Sequence, residues 1–139
     1  MERTLSRPAP SPLRRRALAV VGAAVADLAV WAVAHLALGI QLSVRLVPGS
    51  PSQQVEPATI AVVALLAGAA AWGLVTLLER VSRRPRGTWV AIALVVLAVS
   101  LIGPLGSALT PAAVAGLVAM HLVTAAVLVP LMLSSIARR

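Results

Sequence analysis

Hydrophobic residues along the chain gather into four long runs, separated by short polar or turn-rich connections. The four runs cover residues 17–39, 58–78, 88–109 and 111–133. At about 1.5 Å of rise per residue, helices of these lengths cross a hydrocarbon core about 30 Å thick. Gly103, Pro104 and Gly106 interrupt the third run, so its helix either kinks there or ends early. The pattern predicts an all-α membrane protein, a four-helix transmembrane bundle with up-down-up-down topology.

Two segments outside the hydrophobic runs have sequence patterns of their own. Residues 1–16 combine prolines, serines and arginines, which predicts a disordered tail before the transmembrane domain of residues 17–139. This basic stretch and the alanine-rich run after it also resemble a secretory signal peptide, but the run exceeds the usual apolar core of about 7 to 15 residues. In residues 40–57, apolar and polar side chains alternate around Val44, which indicates a short extended segment on the membrane surface with no obvious partner.

The 12 arginines of the chain flank the hydrophobic runs. All but Arg45 lie before the first run, between the second and third, or after the fourth, and so on one side of the predicted bundle. Because cationic residues favour the cytoplasmic side, both termini are predicted to be cytoplasmic. Despite a net charge of +8, we interpret the arginines as orientation signals that also attract anionic lipid headgroups, with no nucleic acid as partner. Glu79 and Arg80 are adjacent, and we expect them to form a solvated local ion pair.

The composition excludes several kinds of chemistry. Hydrophobic residues make up 60% of the chain and Cys is absent, so there is no thiolate nucleophile and no thiolate metal site. The absence of Lys excludes a Schiff base and the lysine of a phosphate-binding loop. Phe, Tyr and Asn are also missing while Ala, Val, Leu and Arg abound, which indicates GC-rich codons and a bacterial source. We therefore expect a multi-pass protein of the bacterial plasma membrane that is not an enzyme and has no cofactor and no metal.

The second run has a patch of small residues at its centre. Ala64 and Gly68, or Ala69 and Gly73, lie four residues apart and share a helix face. Small residues at this spacing let helix backbones approach closely within a membrane, and packing inside the bundle is favoured over a contact with a second copy. At the start of the third run, Trp89 stands where an aromatic side chain would anchor the helix at the interface.

A few polar residues lie inside the hydrophobic runs. Asp27 is at the middle of the first run, where an aspartate costs about 2.5 to 3.5 kcal/mol unless it faces protein or water. Trp31 and His35 follow four and eight residues later, so the three side chains share one helix face. His121 in the fourth run and Ser100 in the third lie near the same depth as Asp27. These four polar residues, Asp27, His35, Ser100 and His121, form the candidate intramembrane site.

Simpler interpretations of the same residues stay open. Asp27 is also consistent with a carboxylate that hydrogen-bonds a neighbouring helix, and a single membrane histidine such as His121 is more often a packing or hydrogen-bonding residue than a ligand. Ser100, His121 and Asp27 invite comparison with intramembrane serine hydrolases. That comparison is weak, because the sequence has no nucleophile-elbow motif and no identifiable oxyanion donors.

The later part of the chain contains a set of motifs: LLAG at 65–68, Trp72 and Gly73, LLER at 77–80, Trp89, SLIGPL at 100–105, Met120 to Leu122, and Pro130. Taken together, these motifs resemble a family of small actinobacterial four-helix membrane proteins, known as domain of unknown function 6069. They span the second to fourth predicted helices, and Asp27 lies outside them. The resemblance implies a polytopic plasma-membrane protein and assigns no activity, substrate or catalytic residues.

Two functional hypotheses follow. The first is a non-enzymatic accessory or scaffolding component, whose partners are the lipid bilayer and a second copy or another membrane protein. The alternative is a small proton-linked transporter or carrier that uses Asp27 and His121. A cavity that reaches Asp27 would favour the carrier, and a fully packed centre would favour the scaffold.

Overall fold

The computed structural model describes residues 11–137 and contains four helical spans, each long and apolar enough to cross a membrane. The helices are α1 (Pro12–Ala32), α2 (Pro57–Val81), α3 (Pro85–Ser100), α4 (Ile102–Ser107) and α5 (Pro111–Ser135). The spans are Pro12–Ala37, Pro57–Val81, Pro85–Ser107 and Pro111–Ser135, so α3 and α4 together form the third. The prediction of a four-helix membrane protein is confirmed.

Each span begins with a proline in its first turn. Proline suits this position because its missing N–H would have no helical acceptor there, and its fixed φ angle already matches a helix. At Pro12, the preceding Ser11 caps the helix by accepting a hydrogen bond from the Arg14 backbone N–H at 3.4 Å. The first helix thus begins five residues before the predicted boundary at residue 17, and residues 12–16 are helical rather than disordered. The rest of the predicted tail, residues 1–10, lies outside the described part.

The end of the first span is a wider helical turn. Residues Val33–Ala37 form a π-helix, and the Leu38 N–H donates to the carbonyl oxygen of Val33 at 3.1 Å. Gly39 follows with φ at +64°, a left-handed conformation that glycine adopts without steric cost. The glycine lets the chain leave the helix and enter the 40–57 connection.

The third span is interrupted where the glycines and proline predicted a kink or an end. α3 stops at Ser100, Leu101 forms a turn, and the helix resumes as α4. Pro104 has no N–H to donate to the carbonyl of Ser100, four residues earlier, so the helical hydrogen-bond ladder is broken at this position. The helix therefore continues beyond the break instead of ending there.

The 40–57 connection folds into a small hairpin against the bundle. Strand β1 (Ser43–Val44) pairs antiparallel with β2 (Gln53–Gln54), and Val44 also forms a bridge with Ala108 just after α4. The extended segment predicted around Val44 therefore exists, and its partners are the second half of the same connection and the end of the third span. This end of the molecule is called the hairpin end below.

The helices pack unevenly. α1 has its most extensive contacts with α5 and then α2, whereas α3 packs more lightly on α5 and α2. The start of α1 meets the ends of α2 and α5 through Arg16, and the start of α3 reaches the end of α5 through Arg86. These junctions define the arginine-rich end of the bundle. Consecutive spans therefore run antiparallel.

Two clusters of buried apolar residues hold the bundle together, one near each end. At the arginine-rich end the cluster consists of Ala19, Ala23, Val75, Leu78, Trp89, Leu128, Met132 and Ile136. At the hairpin end it consists of Ala34, Leu42, Ile60, Ala113, Leu117 and Met120. Trp89, predicted to be an interfacial anchor, is instead a core residue whose Nε1 donates to the Val129 carbonyl at 3.2 Å. On α1 and α5, Asp27 and Thr124 lie between the residues of the two clusters.

Candidate functional site

Asp27 is buried on α1, with 6% of its surface exposed. Its Oδ2 accepts a hydrogen bond of 2.6 Å from the hydroxyl of Thr124 on α5. Its Oδ1 is also buried and has no hydrogen-bond partner in the described part of the protein. Buried polar atoms almost always have a partner, so this carboxyl oxygen is free to accept a hydrogen bond or to carry a proton.

A cavity of about 550 Å³ borders Asp27. Its walls are mainly apolar side chains of α2, α3 and α5, such as Ala67, Val96 and Leu117. Asp27 and His121 are the ionisable side chains among the described residues that line it, and Ser100 and Thr124 add hydroxyl groups. The cavity lies where α3 packs lightly against α2 and α5, and some of its lining residues, such as Val63 and Val96, are also exposed at the surface. It has the size and apolar character of a small-molecule site.

His121 borders the same cavity as Asp27. Its Nδ1 lies 2.8 Å from the carbonyl oxygen of Leu117, one turn earlier on α5. That oxygen can only accept, so Nδ1 carries the proton, and in the neutral ring Nε2 is left as an acceptor. No hydrogen bond joins His121 to Asp27 in the described residues. The direct partner of Asp27 on α5 is Thr124.

Ser100 lines the same cavity from α3, at the break in the third span. Its hydroxyl donates to the carbonyl of Leu97 in its own helix at 2.7 Å. Within residues 11–137 no hydrogen bond connects Ser100 to His121, so the chain of hydrogen bonds expected of a serine-hydrolase triad is not formed.

His35 is not a lining residue of the cavity. It stacks on Trp31 with ring centroids 5.1 Å apart, and the Trp31 Nε1 donates to the Val55 carbonyl beside β2 at 3.1 Å. The face shared by Asp27, Trp31 and His35 in the sequence is thus divided. Asp27 faces α5 and the cavity, whereas the aromatic pair holds the hairpin connection. The structure therefore brings three of the four predicted residues to one cavity and leaves His35 outside it.

A second polar cluster lies at the arginine-rich end around Arg16, which is 7% exposed. Its guanidinium donates to Ser135 Oγ at 3.0 Å, to Thr76 Oγ1 at 3.0 Å and to Glu79 Oε2 at 2.7 Å. These bonds join α1 to α2 and α5. The ion pair expected between Glu79 and Arg80 is replaced by one between Glu79 and Arg16.

Two more arginines bind the last carbonyls of α5. Arg15 Nη1 donates to Ser134 at 2.7 Å, and Arg86 Nη1 donates to Leu133 and Ile136 at 2.9 Å each. Carbonyl oxygens at the end of a helix have no partner within the helix, and the helix dipole favours cations there. Sequence reasoning assigned these arginines to orientation and missed this structural role. The detectable signal was the return of an antiparallel helix to the same end.

Among the described residues, no group of three or more His, Cys, Asp and Glu side chains is placed to hold a metal ion. Comparison with known proteins adds one match. The model of a family of unknown function, DUF6069, matches residues 7–138. No curated protein and no solved structure matches the chain.

Proposed function

The chain belongs to the family of unknown function DUF6069, and we propose that it is a small, non-enzymatic, proton-linked carrier of the bacterial plasma membrane. The observation that carries this proposal is the orphaned Oδ1 of Asp27 beside a cavity of about 550 Å³. The cavity supplies room for a substrate, and the carboxyl group supplies a site that a proton can occupy.

The coupling follows from the environment of Asp27. An ionised carboxylate with one unbonded oxygen is unfavourable among apolar walls, and either a proton or a bound donor removes that cost. A proton on the carboxyl group and a positively charged or donating substrate therefore exclude one another. Such competition for one site is the minimal requirement for exchanging a substrate against a proton.

A carrier must also open its site to each side of the membrane. We assign this movement to the third span, because α3 packs most lightly of the long helices and is broken at Leu101. A broken helix bends at the break with little loss of hydrogen bonding. Ser100, at the break, lines the cavity, so bending there changes access to Asp27.

The test is proton movement in proteoliposomes that enclose a pH-sensitive dye. A panel of small cationic, anionic and neutral apolar compounds is added under an imposed pH gradient. At least one compound should drive a proton flux that Asp27→Asn abolishes and that the surface control Glu56→Gln retains. If no compound of any charge produces a flux dependent on Asp27, the carrier proposal is wrong.

An accessory or scaffolding role is the second candidate, and the outward face of the third span favours it. Leu94, Val95, Val99, Ile102 and Leu105 are exposed on this span, and no other part of residues 11–137 covers them. Lipid or a partner helix can cover such a face. Because the chain has no Cys, Val99→Cys gives a single thiol. Disulfide crosslinking of Val99→Cys in membranes, with Val62→Cys on α2 as control, would support contact with a second copy.

A further inference from the structure

We infer that the cavity accepts a small primary or secondary ammonium ion that carries an apolar group. This inference rests on the proposed carrier function and names its substrate class. It is based on the charge, the hydrogen-bond acceptors and the apolar surface that the lining residues present to a ligand.

The sign of the charge follows from the ionisable groups at the cavity. Asp27 supplies one carboxyl group, and His121 supplies an imidazole that is neutral when Nδ1 alone is protonated. Neither α2 nor α3 places a titratable side chain at this cavity. The arginines Arg15, Arg16 and Arg86 bind at the arginine-rich end instead. A single positive charge is complementary to this site, whereas an anion would meet a carboxylate with no cation beside it.

The need for N–H donors follows from the unused acceptors. Oδ2 of Asp27 already accepts a hydrogen bond from Thr124, so Oδ1 is the oxygen that can accept one from a ligand. Nε2 of the neutral His121 ring is a second acceptor on the cavity wall. The Ser100 hydroxyl donates a hydrogen bond to the Leu97 carbonyl, and the lone pairs of its oxygen provide a third acceptor. A primary or secondary ammonium group carries two or three N–H donors, while a quaternary ammonium carries none.

The apolar part of the ligand follows from the rest of the walls. Side chains such as Ala67, Val96 and Leu117 offer no hydrogen bonds, so a second polar group on the ligand would be desolvated without compensation. The volume of about 550 Å³ suits a ligand with one charged end and a hydrocarbon or aromatic body. A polyamine, with several charges, would leave all but one unpaired.

Binding is then an exchange of one proton for one ammonium ion. The protonated carboxyl group of Asp27 releases its proton to water, and the carboxylate formed accepts an N–H of the incoming ammonium. Binding of the amine should therefore release protons, about one per ligand, and should strengthen as the pH rises toward the point where the amine itself loses its charge.

The test compares three probes of nearly the same shape on the wild-type protein in lipid nanodiscs. The probes are 4-phenylbutylamine, which is cationic at neutral pH, its neutral isostere pentylbenzene, and the anion 5-phenylpentanoate. We expect the amine to bind at least about tenfold more tightly than either analogue, because Oδ1 supplies the discrimination. Its N-trimethyl derivative should bind more weakly than the amine. These comparisons need no variant, so they do not depend on the folding of a mutant.

Three variants then show which side chains are responsible for amine binding and for proton release. Asp27→Asn should lose at least about tenfold in amine affinity and lose proton release, His121→Gln should lose affinity but retain proton release, and Glu56→Gln should change neither. Equal binding of the amine and pentylbenzene, or undiminished amine binding by a folded Asp27→Asn variant, overturns the inference. If an anionic or neutral compound drives an Asp27-dependent proton flux and the amine does not, the substrate class is wrong while the carrier function stands. If no compound does so, both fail.

Discussion

Arg16 shows how one side chain at a membrane boundary serves more than orientation. Its charge belongs to the basic segment before the first hydrophobic run, which biases insertion. In the folded bundle the same guanidinium is buried and bonded to side chains from α2 and α5. A buried arginine with this set of partners is expensive to disrupt, because its removal breaks three side-chain hydrogen bonds, one of them within an ion pair.

Replacement of Arg16 by Gln should therefore destabilise the protein by about 3 kcal/mol, the lower end of the range for breaking a buried ion pair, because Glu79 is partly exposed. The matched control is Arg14→Gln, which removes one positive charge from the same segment at an exposed position. Thermal unfolding in detergent is the measurement. Similar unfolding temperatures for the two variants would contradict a structural role of Arg16.

The residues of the site differ in how well their roles can be predicted from the sequence. Asp27 could be found because it is the one carboxylate inside a hydrophobic run, and its burial follows directly from that position. Its bond to Thr124 could not be predicted, since it depends on the rotation of two helices about their axes. Equal depth favoured His121 as the partner, but depth alone does not distinguish two residues that lie a turn apart on the same helix.

At the scale of elements, the sequence contains a signal for the start of the first helix that the predicted boundary at residue 17 did not take into account. Ser11 followed by Pro12 is the usual signal for a helix start, a capping hydroxyl before a proline in the first turn. The three arginines that follow obscured it, because a charged segment suggests a solvated tail. In this fold Arg15 and Arg16 bind residues at the ends of α2 and α5, so the charged turn has partners.

The hairpin in the 40–57 connection illustrates what local patterns leave out. Alternation around Val44 predicts an extended strand, but pairing depends on where the rest of the connection and the third span arrive. The backbone N–H of Arg45 donates to the Ser107 carbonyl at 2.8 Å, and that of Leu109 donates to the Ser43 carbonyl at 3.2 Å. These bonds form only once the bundle brings the two connections to one end.

The small-residue patch of α2 is a packing face, with Gly68 at its closest approach. A Cβ atom at Gly68 would lie 2.8 Å from Val20 Cγ1 and 3.1 Å from Val20 Cβ on α1, whereas a Cβ at Gly73 meets nothing within 4 Å. Of the two predicted pairs, Ala64 and Gly68 are therefore the buried one. Glycine is needed here because the two helices approach too closely for any side chain.

Gly68→Leu should destabilise the protein by about 1 to 3 kcal/mol, because the new side chain has to push α1 away from α2. Gly73→Leu is the control, since it makes the same chemical change at an exposed position of the same helix. Val62→Leu, also exposed on α2, should be tolerated too. Combining Gly68→Ala with Val20→Ala should restore part of the stability lost in Gly68→Ala alone. Equal unfolding temperatures for the two glycine variants would remove the packing argument.

At the scale of the whole molecule, the spans were predictable and their neighbours were not. Length and hydropathy determine that four helices cross a membrane, because hydrocarbon demands long apolar segments whose backbone bonds are satisfied internally. Which helices touch depends on the shapes of their faces. α1 packs between α2 and α5, and α3 remains lightly attached. The cavity is lined by residues of several helices, so no pattern in a single helix could reveal it.

The orientation of the bundle rests on the distribution of its arginines. Eleven of the 12 arginines lie before the first hydrophobic run, between the second and third runs, or after the fourth, and Arg45 lies in the hairpin connection. Because cationic connections stay on the cytoplasmic side and attract anionic headgroups, we expect the arginine-rich end in the cytoplasm. Reporter fusions at Arg84 and at the C-terminus should then report a cytoplasmic location, and a fusion at Ser52 an external one. Variants with an altered charge distribution serve as controls. Replacing Arg83 and Arg84 by Gln should weaken the preference of the arginine-rich end for the cytoplasm, while replacing Arg45 by Gln should preserve it. An external C-terminus in the unaltered protein would refute this orientation.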